Sequence, residues 1–306
     1  MKVLRPLARF AVNVSVARRP VREVRVRGGE LAGARLLLDL RYEKAYWLGS
    51  HEPAIQAALV RLVGRGDVVY DVGAHAGFFA VLAQRAAGEA GRIVAFEANP
   101  DVTERLRSNL ALNGGAPARV VARPVAAKSG PVVFVAGPTP QADSLRPPVV
   151  LAGNPRRPSL ELDAVTLDEM LEAGERSPDV IKIDVEGAEL AVLQGARKAI
   201  TSVRPQIVCE LHAWAAPAET LAYAAELGFT ATDLERRPVT AAEIERESAP
   251  AAPCRCSSCR TTHSAQAPYS SCSHRSRHRQ RQSAKSTPRS PRSSRAMRRR
   301  TASRLR

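Results

Sequence analysis

The sequence predicts an α/β protein built on an open, doubly wound, mostly parallel sheet. Three observations predict it. Strand-like and helix-like segments alternate from Asp67 to Leu234, the pattern of parallel strands joined by crossover helices. Strand segments such as Val180–Val185 are strongly apolar, as expected where both faces of a sheet are covered. The first strand also leads through Gly73 and Gly77 into a helix, at the end of the sheet where such folds bind ligands.

The elements follow in order. Residues 1–20 form a basic segment with Arg5, Arg9, Arg18 and Arg19 between short apolar pieces, without the continuous apolar stretch of a signal peptide. Residues 21–42 alternate as strands around a Gly28-Gly29 turn and read as a β-hairpin. Pro53–Val63 carries Ile55, Leu59 and Leu62 at helical spacing and stops at Gly64. These pieces make a pre-domain extension over 21–64, ahead of a main domain over 65–245.

The main domain opens with a strand at Asp67–Val72, a helix at Gly77–Ala87 and a strand at Arg92–Glu97. Asn99 is placed to cap the next helix, with Pro100 at its first position. Val102, Leu106 and Leu110 give that helix its apolar face, and Asn113-Gly114-Gly115 ends it. Strands follow at Arg119–Val125, Pro131–Val135 and Leu160–Val165, with a Pro/Gly-rich loop or lid over 137–158. Thr166 caps a short helix, and Val180–Val185 leads into a helix expected from Gly187 to Ile200. Gln206–Leu211, Pro217–Leu227 and Phe229–Leu234 are then read as strand, helix and a last strand.

Charge is divided very unevenly. The net charge of +16 is +1 over residues 1–250 and +15 over the last 56 residues, which hold 14 Arg, one Lys and no acid. A nucleic-acid partner can therefore be argued only from residues 251–306. Cys209 is the one cysteine of residues 1–250. A disulfide framework is thus excluded there, and a reducing cytoplasm is the expected location. No apolar run approaches the roughly 18 residues that span a bilayer.

The chemistry is expected in two constellations. In the first, Asp71, Gly73, Ala74 and Gly77 follow one strand, and Glu97 and Ala98 follow the next. The glycines permit a tight turn, the helix start offers N–H groups to an anion, and Glu97 is placed to accept from two ribose hydroxyls. A dinucleotide site has this layout but needs G-x-G-x-x-G. Here the spacing is G-x-x-x-G, with Asp71 two residues earlier. An acid there would repel a pyrophosphate and attract an ammonium, which favours S-adenosylmethionine over NAD.

The second constellation is the run Lys182 to Glu189, KIDVEGAE, followed by Val192-Leu193-Gln194-Gly195. With Tyr46-Trp47-Leu48-Gly49 and Glu52, the runs DVGAHAGFFA and VAFEANP, Asn109-Leu110 with Asn113, and Cys209-Glu210-Leu211-His212, it closely resembles the FkbM family of methyltransferases. The resemblance covers about residues 35–235. It departs at His75, where the family usually has Asn, and at Ala98, where it usually has Pro. It implies a Rossmann-like class I methyltransferase fold and methyl transfer from S-adenosylmethionine to an acceptor oxygen, typically a hydroxyl of a sugar or secondary metabolite. The cofactor site it implies comprises Glu52, Asp71, Gly73, Ala74, Gly77, Glu97, Ala98, Val125, Ala126 and Asp184. The expected catalytic set is Asp184, Glu186, Glu210 and His212. Residues two apart on a strand share a face, so His212 is expected to be the base, supported by Glu210, with Asp184 positioning cofactor or acceptor. Carboxylates beside a histidine also suit a divalent metal, although no ligand set is fixed and none is assigned. Lys182 is read as structural, its stem packed along the strand.

Three readings compete for residues 251–306, which are expected to be disordered. Cys254, Cys256, Cys259 and His263 match no closed zinc site well. The Arg/Ser composition could bind nucleic acid through phosphates without specificity. The abrupt change near Pro250 is also what GC-rich DNA yields out of frame. The alternative to an enzyme is a degenerate methyltransferase-like binding protein whose basic tail engages nucleic acid.

Overall fold

The computed structural model describes residues 21–135, 144–145, 159–212 and 216–248, all within the unit from Met1 to Pro250. The expectations for the basic start, for most of the 137–158 loop and for the tail lie outside the described residues.

The chain enters as a hairpin, β1 (Val21–Arg25) and β2 (Arg35–Asp39), paired antiparallel with Val21 opposite Asp39. Two helices follow, α1 (Lys44–Leu48) and α2 (Pro53–Leu62). Then come β3 (Val68–Val72), α3 (Phe78–Ala87), β4 (Arg92–Phe96), α4 (Pro100–Ala111) and β5 (Ala118–Val121). A separate antiparallel sheet of β6 (Gly130–Val135), β7 (Ser144–Leu145) and β8 (Ser159–Ala164) interrupts the alternation. The chain returns through α5 (Leu167–Glu172), β9 (Val180–Ile183), α6 (Glu189–Gln194), α7 (Arg197–Val203) and β10 (Gln206–Cys209), then α8 (Pro217–Glu226) and α9 (Ala241–Ser248).

The central sheet is wholly parallel, in the order β10-β9-β3-β4-β5. Its period-2 alternation splits the core in two. Val69, Ile93, Ala95, Val180 and Val208 face a cluster with α3 and the hairpin. Val68, Tyr70, Val94, Phe96, Ile181 and Ile183 meet Leu167, Val192 and Ile200 on the other side. Burying each such large apolar side chain stabilises the fold by about 1.5–3 kcal/mol. The order reverses direction at β3, so the cleft between the β3–β4 and β3–β9 crossovers opens above the carboxyl ends of β3, β4 and β9.

The hairpin is fastened to the sheet by two asparagines of α4 and its end. Asn109 accepts from Leu37 N (2.6 Å) and donates to Leu37 O and Ala76 O, while Asn113 does the same for Arg35 N and O. This docking leads the chain from β2 into the Tyr46–Glu52 segment at the cleft. Asn99 caps α4 by accepting from Asp101 N, and Thr166 caps α5 by accepting from Glu169 N.

Two expectations are corrected, and one left open is completed. The helix over Gly187–Ile200 is broken into α6 and α7. Gly195 approaches Ala126 so closely that a Cβ would lie 2.0 Å from its carbonyl oxygen. Asp168 also restarts the helix, accepting from Lys198 N and Ala199 N. Phe229–Leu234 is not a strand; it makes only an isolated bridge, Thr232 to Pro238. The Pro131–Val135 and Leu160–Val165 segments pair with each other, not with the parallel sheet. Among the described residues no helix is long and apolar enough to cross a membrane.

Candidate active site

A cavity of about 210 Å³ lies at the carboxyl ends of β3, β4, β9 and β10. Val72, Gly73, Phe96 and Glu97 form one side, and Asp184, Glu186 and Glu210 another. Tyr46, His51 and Glu52 close it from the pre-domain segment. Ala98, Arg123, Val125 and Phe134 complete the wall.

On the β3–β4 side the backbone organises the polar groups. Gly73 and Ala74 both donate their N–H to Phe96 O. Gly73 has φ +83°, and a Cβ there would lie 1.7 Å from Asp184 O, so only glycine allows the two crossover loops to touch. Glu97 accepts from His75 N (2.6 Å) and Asn99 N (2.7 Å). These charge-assisted bonds fix a buried carboxylate at the wall of the cavity. The His75 imidazole, nearly enclosed, is pushed down to about 3 by burial, with Arg105 and Lys182 adding to the effect, and is therefore neutral.

Lys182 is more than a stem along a strand. In the β3–β9 register it lies beside Asp71, and its Nζ is 3.3 Å from both Asp71 Oδ1 and Asp184 Oδ2 and donates to Gly73 O. Burial opposes its charge, but Asp71 and Asp184 outweigh it and push the pKa up. The ammonium also stands 5.1 Å from the Phe79 ring centre. Asp71 is thus spent inside the protein on Lys182 and does not line the cavity. The expectation that it would meet a ligand ammonium does not fit this geometry.

On the β9–β10 side the side chains hold one another. His212 Nδ1 lies 2.7 Å from Glu189 Oε1, and Nε2 lies 3.3 Å from Glu186 Oε2 and 3.9 Å from Glu210 Oε1. Hydrogen bonding to Glu186 and Glu189 raises the imidazole to about 10. That shift favours the protonated imidazole, in which form His212 holds the two carboxylates rather than taking a further proton. The partner that orients it is Glu189, buried at 1% exposure, rather than Glu210. Asp184, Glu186 and His212 each have a ligand atom within 4.8 Å of the others. Metal ligation there would go through Nε2 and require His212 to give up the proton on that nitrogen, while Nδ1 could keep its bond to Glu189.

The third side was missed in the sequence except for Glu52. His51 packs against Tyr46 (4.4 Å between ring centres), Phe78 and Phe79. Burial and Lys182 hold it down at about 4, so it too is neutral. Its Nε2 is 3.2 Å from Glu52 Oε1. Glu52 is half-buried and raised to about 7, by burial first and then by Glu210 and Asp184. Glu210 is raised for the same reasons, burial and then Asp184.

Of the residues expected at the cofactor site, Glu52, Gly73, Glu97, Ala98, Val125 and Asp184 line the cavity, whereas Asp71, Ala74, Gly77 and Ala126 do not. Gly77 serves packing, since a Cβ there would lie 2.7 Å from Leu106 Cδ1. Ala126 meets Gly195 through its carbonyl. Of the catalytic set, Asp184, Glu186 and Glu210 line the cavity, and His212 stands behind Glu186. A signal for Lys182 was present: a lone lysine between Ile181 and Ile183, in a strand covered on both faces, must find a buried counter-charge.

A family model for the methyltransferase FkbM domain matches residues 71–231, more than half of the chain. The chain belongs to the FkbM methyltransferase family. Among its relatives is the hexuronic acid methyltransferase AglP of Haloferax volcanii, 35% identical over 175 residues, which are 56% of this chain and 67% of AglP. Solved structures similar to this FkbM chain include an FkbM methyltransferase from Methylobacillus flagellatus, at 15% identity and a TM-score of 0.32. That match covers 54% of this chain, which spans only 42% of the length of the Methylobacillus protein. Aeropyrum pernix fibrillarin, solved with natively bound S-adenosyl-L-methionine, is 12% identical with a TM-score of 0.36, over 72% of this chain and 80% of its own.

Proposed function

We propose that this chain transfers a methyl group from S-adenosylmethionine to a hydroxyl oxygen of a sugar, with hexuronic acids as the acceptor class. The observation that carries the cofactor reading is Glu97, a buried carboxylate fixed by two backbone N–H groups at the end of β4 and facing the cavity. A carboxylate has about four acceptor positions, enough to hold backbone and a vicinal diol together, so the residues present fit the ribose of the cofactor. Gly73, Val72, Phe96 and Val125 supply the close backbone approach and apolar wall that the rest of the cofactor needs. When bound, the cofactor supplies an electrophilic methyl group on a sulfonium.

The chain's own part is alignment and charge. Asp184, Glu210 and Glu52 converge on one region of the cavity, where a cation is favoured and an anion is not. That bias disfavours a carboxylate as the attacking group and leaves a neutral hydroxyl as the better nucleophile. Arg123, the cationic side chain of the wall, pairs with Asp163 and donates to the carbonyls of Asp163 and Ala164, so a uronate carboxylate would meet it by sharing that guanidinium with Asp163. The imidazolium of His212 holds Glu186 and Glu189 in place. Holding two reactants in line accounts for much of the rate of such a displacement. The AglP resemblance supports the acceptor class. The single cysteine of residues 1–250 fits a reducing compartment, and we place the reaction in the cytoplasm.

The test is incubation of the full chain with S-adenosylmethionine and a hexuronic acid glycoside, with the product read by mass and by treatment with base. A base-stable methyl ether is expected. A base-labile methyl ester, or no transfer by protein that binds the cofactor, would contradict the hydroxyl reading.

A further inference from the structure

We infer that Glu52, in the turn before α2, is the proton acceptor of the transfer. The inference rests on the hydroxyl reading above. In the step, the acceptor O–H bond breaks and its proton passes to the Glu52 carboxylate. The oxygen bonds to the methyl carbon, and the electron pair of the broken C–S bond stays on sulfur.

Glu52 occupies a backbone conformation that a side chain normally avoids, φ 40° and ψ 66°. A left-handed non-glycine residue is strained by its Cβ, and such strain persists only where its surroundings over-determine it. Here they do. Gln56, 1% exposed, donates from Nε2 to the carbonyls of Gly49 and His51 and accepts from Glu30 N. Gly49, at φ +71°, sits so close to Gly28 that a Cβ would lie 1.8 Å from its carbonyl oxygen. The hairpin turn thus clamps the 49–52 segment, and the rings of Tyr46, Phe78 and Phe79 clamp His51. The result is a carboxylate delivered to the cavity wall from outside the matched segment 71–231.

The other groups in reach are engaged or more exposed. Asp184 accepts from Lys182, and His212 is protonated between Glu186 and Glu189. Glu210 is more exposed than Glu52, 41% against 33% of its side chain. The titratable groups acting on Glu52 are Glu210 and Asp184, which raise it, and Lys182 and His212, which lower it, while neutral His51 lies against Oε1. Burial and the carboxylates prevail and leave it at about 7, which suits a base working near neutral pH.

The test uses the full chain labelled with 13C at glutamate carboxyls. One resonance, identified by its loss in Glu52→Gln or in Glu52→Asp should Gln disturb folding, is expected to titrate near pH 7. Titration in the ordinary glutamate range near 4.5 overturns the proposal without reference to any acceptor. Calorimetry of Glu52→Gln with S-adenosylmethionine is expected to show affinity within threefold of wild type. Turnover on the hexuronic acid glycoside should fall by about 10²–10⁴-fold, with loss of the acid limb of kcat/KM near pH 7. Parallel loss of cofactor affinity would make Glu52 a cofactor ligand, and turnover within tenfold of wild type would make it a bystander; either overturns the proposal. Failure of the acceptor reading looks different: wild type binds the cofactor and transfers nothing.

Discussion

Glu97 and His212 stand on opposite sides of one cavity and are held by opposite means. Glu97 is fixed by backbone N–H groups of the two loops that follow β3 and β4, so its position follows from the fold itself. His212 is fixed by Glu186 and Glu189, whose hydrogen bonds raise the imidazole. The β3–β4 side is therefore a rigid cradle. The β9–β10 side, with the 46–52 segment, is a set of mutually dependent charges with more carboxylates than cations. Binding geometry belongs to the first and proton chemistry to the second.

Lys182 touches both sides, through Gly73 O and through Asp71 and Asp184, so its loss should have the largest effect. Lys182→Met leaves Asp71 buried without its counter-charge, so that burial, which already raises its pKa, forces it to take up a proton or bear an unpaired charge. Urea unfolding should show about 3–5 kcal/mol of lost stability, and a loss below about 1 kcal/mol would mean the two sides are not coupled through it. Gly73→Ala forces a Cβ onto Asp184 O at positive φ and should cost at least about 2 kcal/mol. A neutral outcome would show that the cradle is not rigid.

Glu97→Ala sharpens the comparison from the other direction. Removing charge-assisted hydrogen bonds of about 1.5–3 kcal/mol should weaken S-adenosylmethionine roughly 10–100-fold in calorimetry. His212 gives the charged side a pH signature. Its pKa is about 10 in the folded chain against 6.5 as the reference. The stability it contributes is fully present below pH 6.5 and is lost as pH rises through 10. Unfolding free energies from urea titrations should fall by about 1–2 kcal/mol between pH 6 and 10 in wild type and less in His212→Asn; equal slopes would remove the imidazolium from the account. The exposed Lys198–Glu172 pair lies outside both sides, and Lys198→Ala should change stability by no more than about 0.5 kcal/mol.

The same contrast explains what could be read in the sequence. The β3 and β4 strands, the Gly73 turn, Glu97 and the Asn99 cap were legible because local rules fix them: strand alternation, glycine spacing and helix capping. The break between α6 and α7 was not, because it depends on Ala126 and Asp168, distant in sequence from Gly195. Pro131–Val135 and Leu160–Val165 were seen as strands, but pairing partner is a non-local property. At the site, Asp71 was recognised as special, yet its partner is set by the β3–β9 register. His51 carried no motif; its significance comes from the rings packed around it. The shift of Glu52 arises from burial and from carboxylates of two distant segments, Asp184 and Glu210, and that of His212 from Glu186 and Glu189 more than 20 residues earlier, which no local window contains.

Calorimetric titration of the folded chain with S-adenosylmethionine, with NAD in parallel and Glu97→Ala as control, tests the central claim most directly. The account predicts micromolar binding of S-adenosylmethionine, none of NAD, and weakening by Glu97→Ala. Binding of NAD instead, or no binding of S-adenosylmethionine by folded protein, would contradict it.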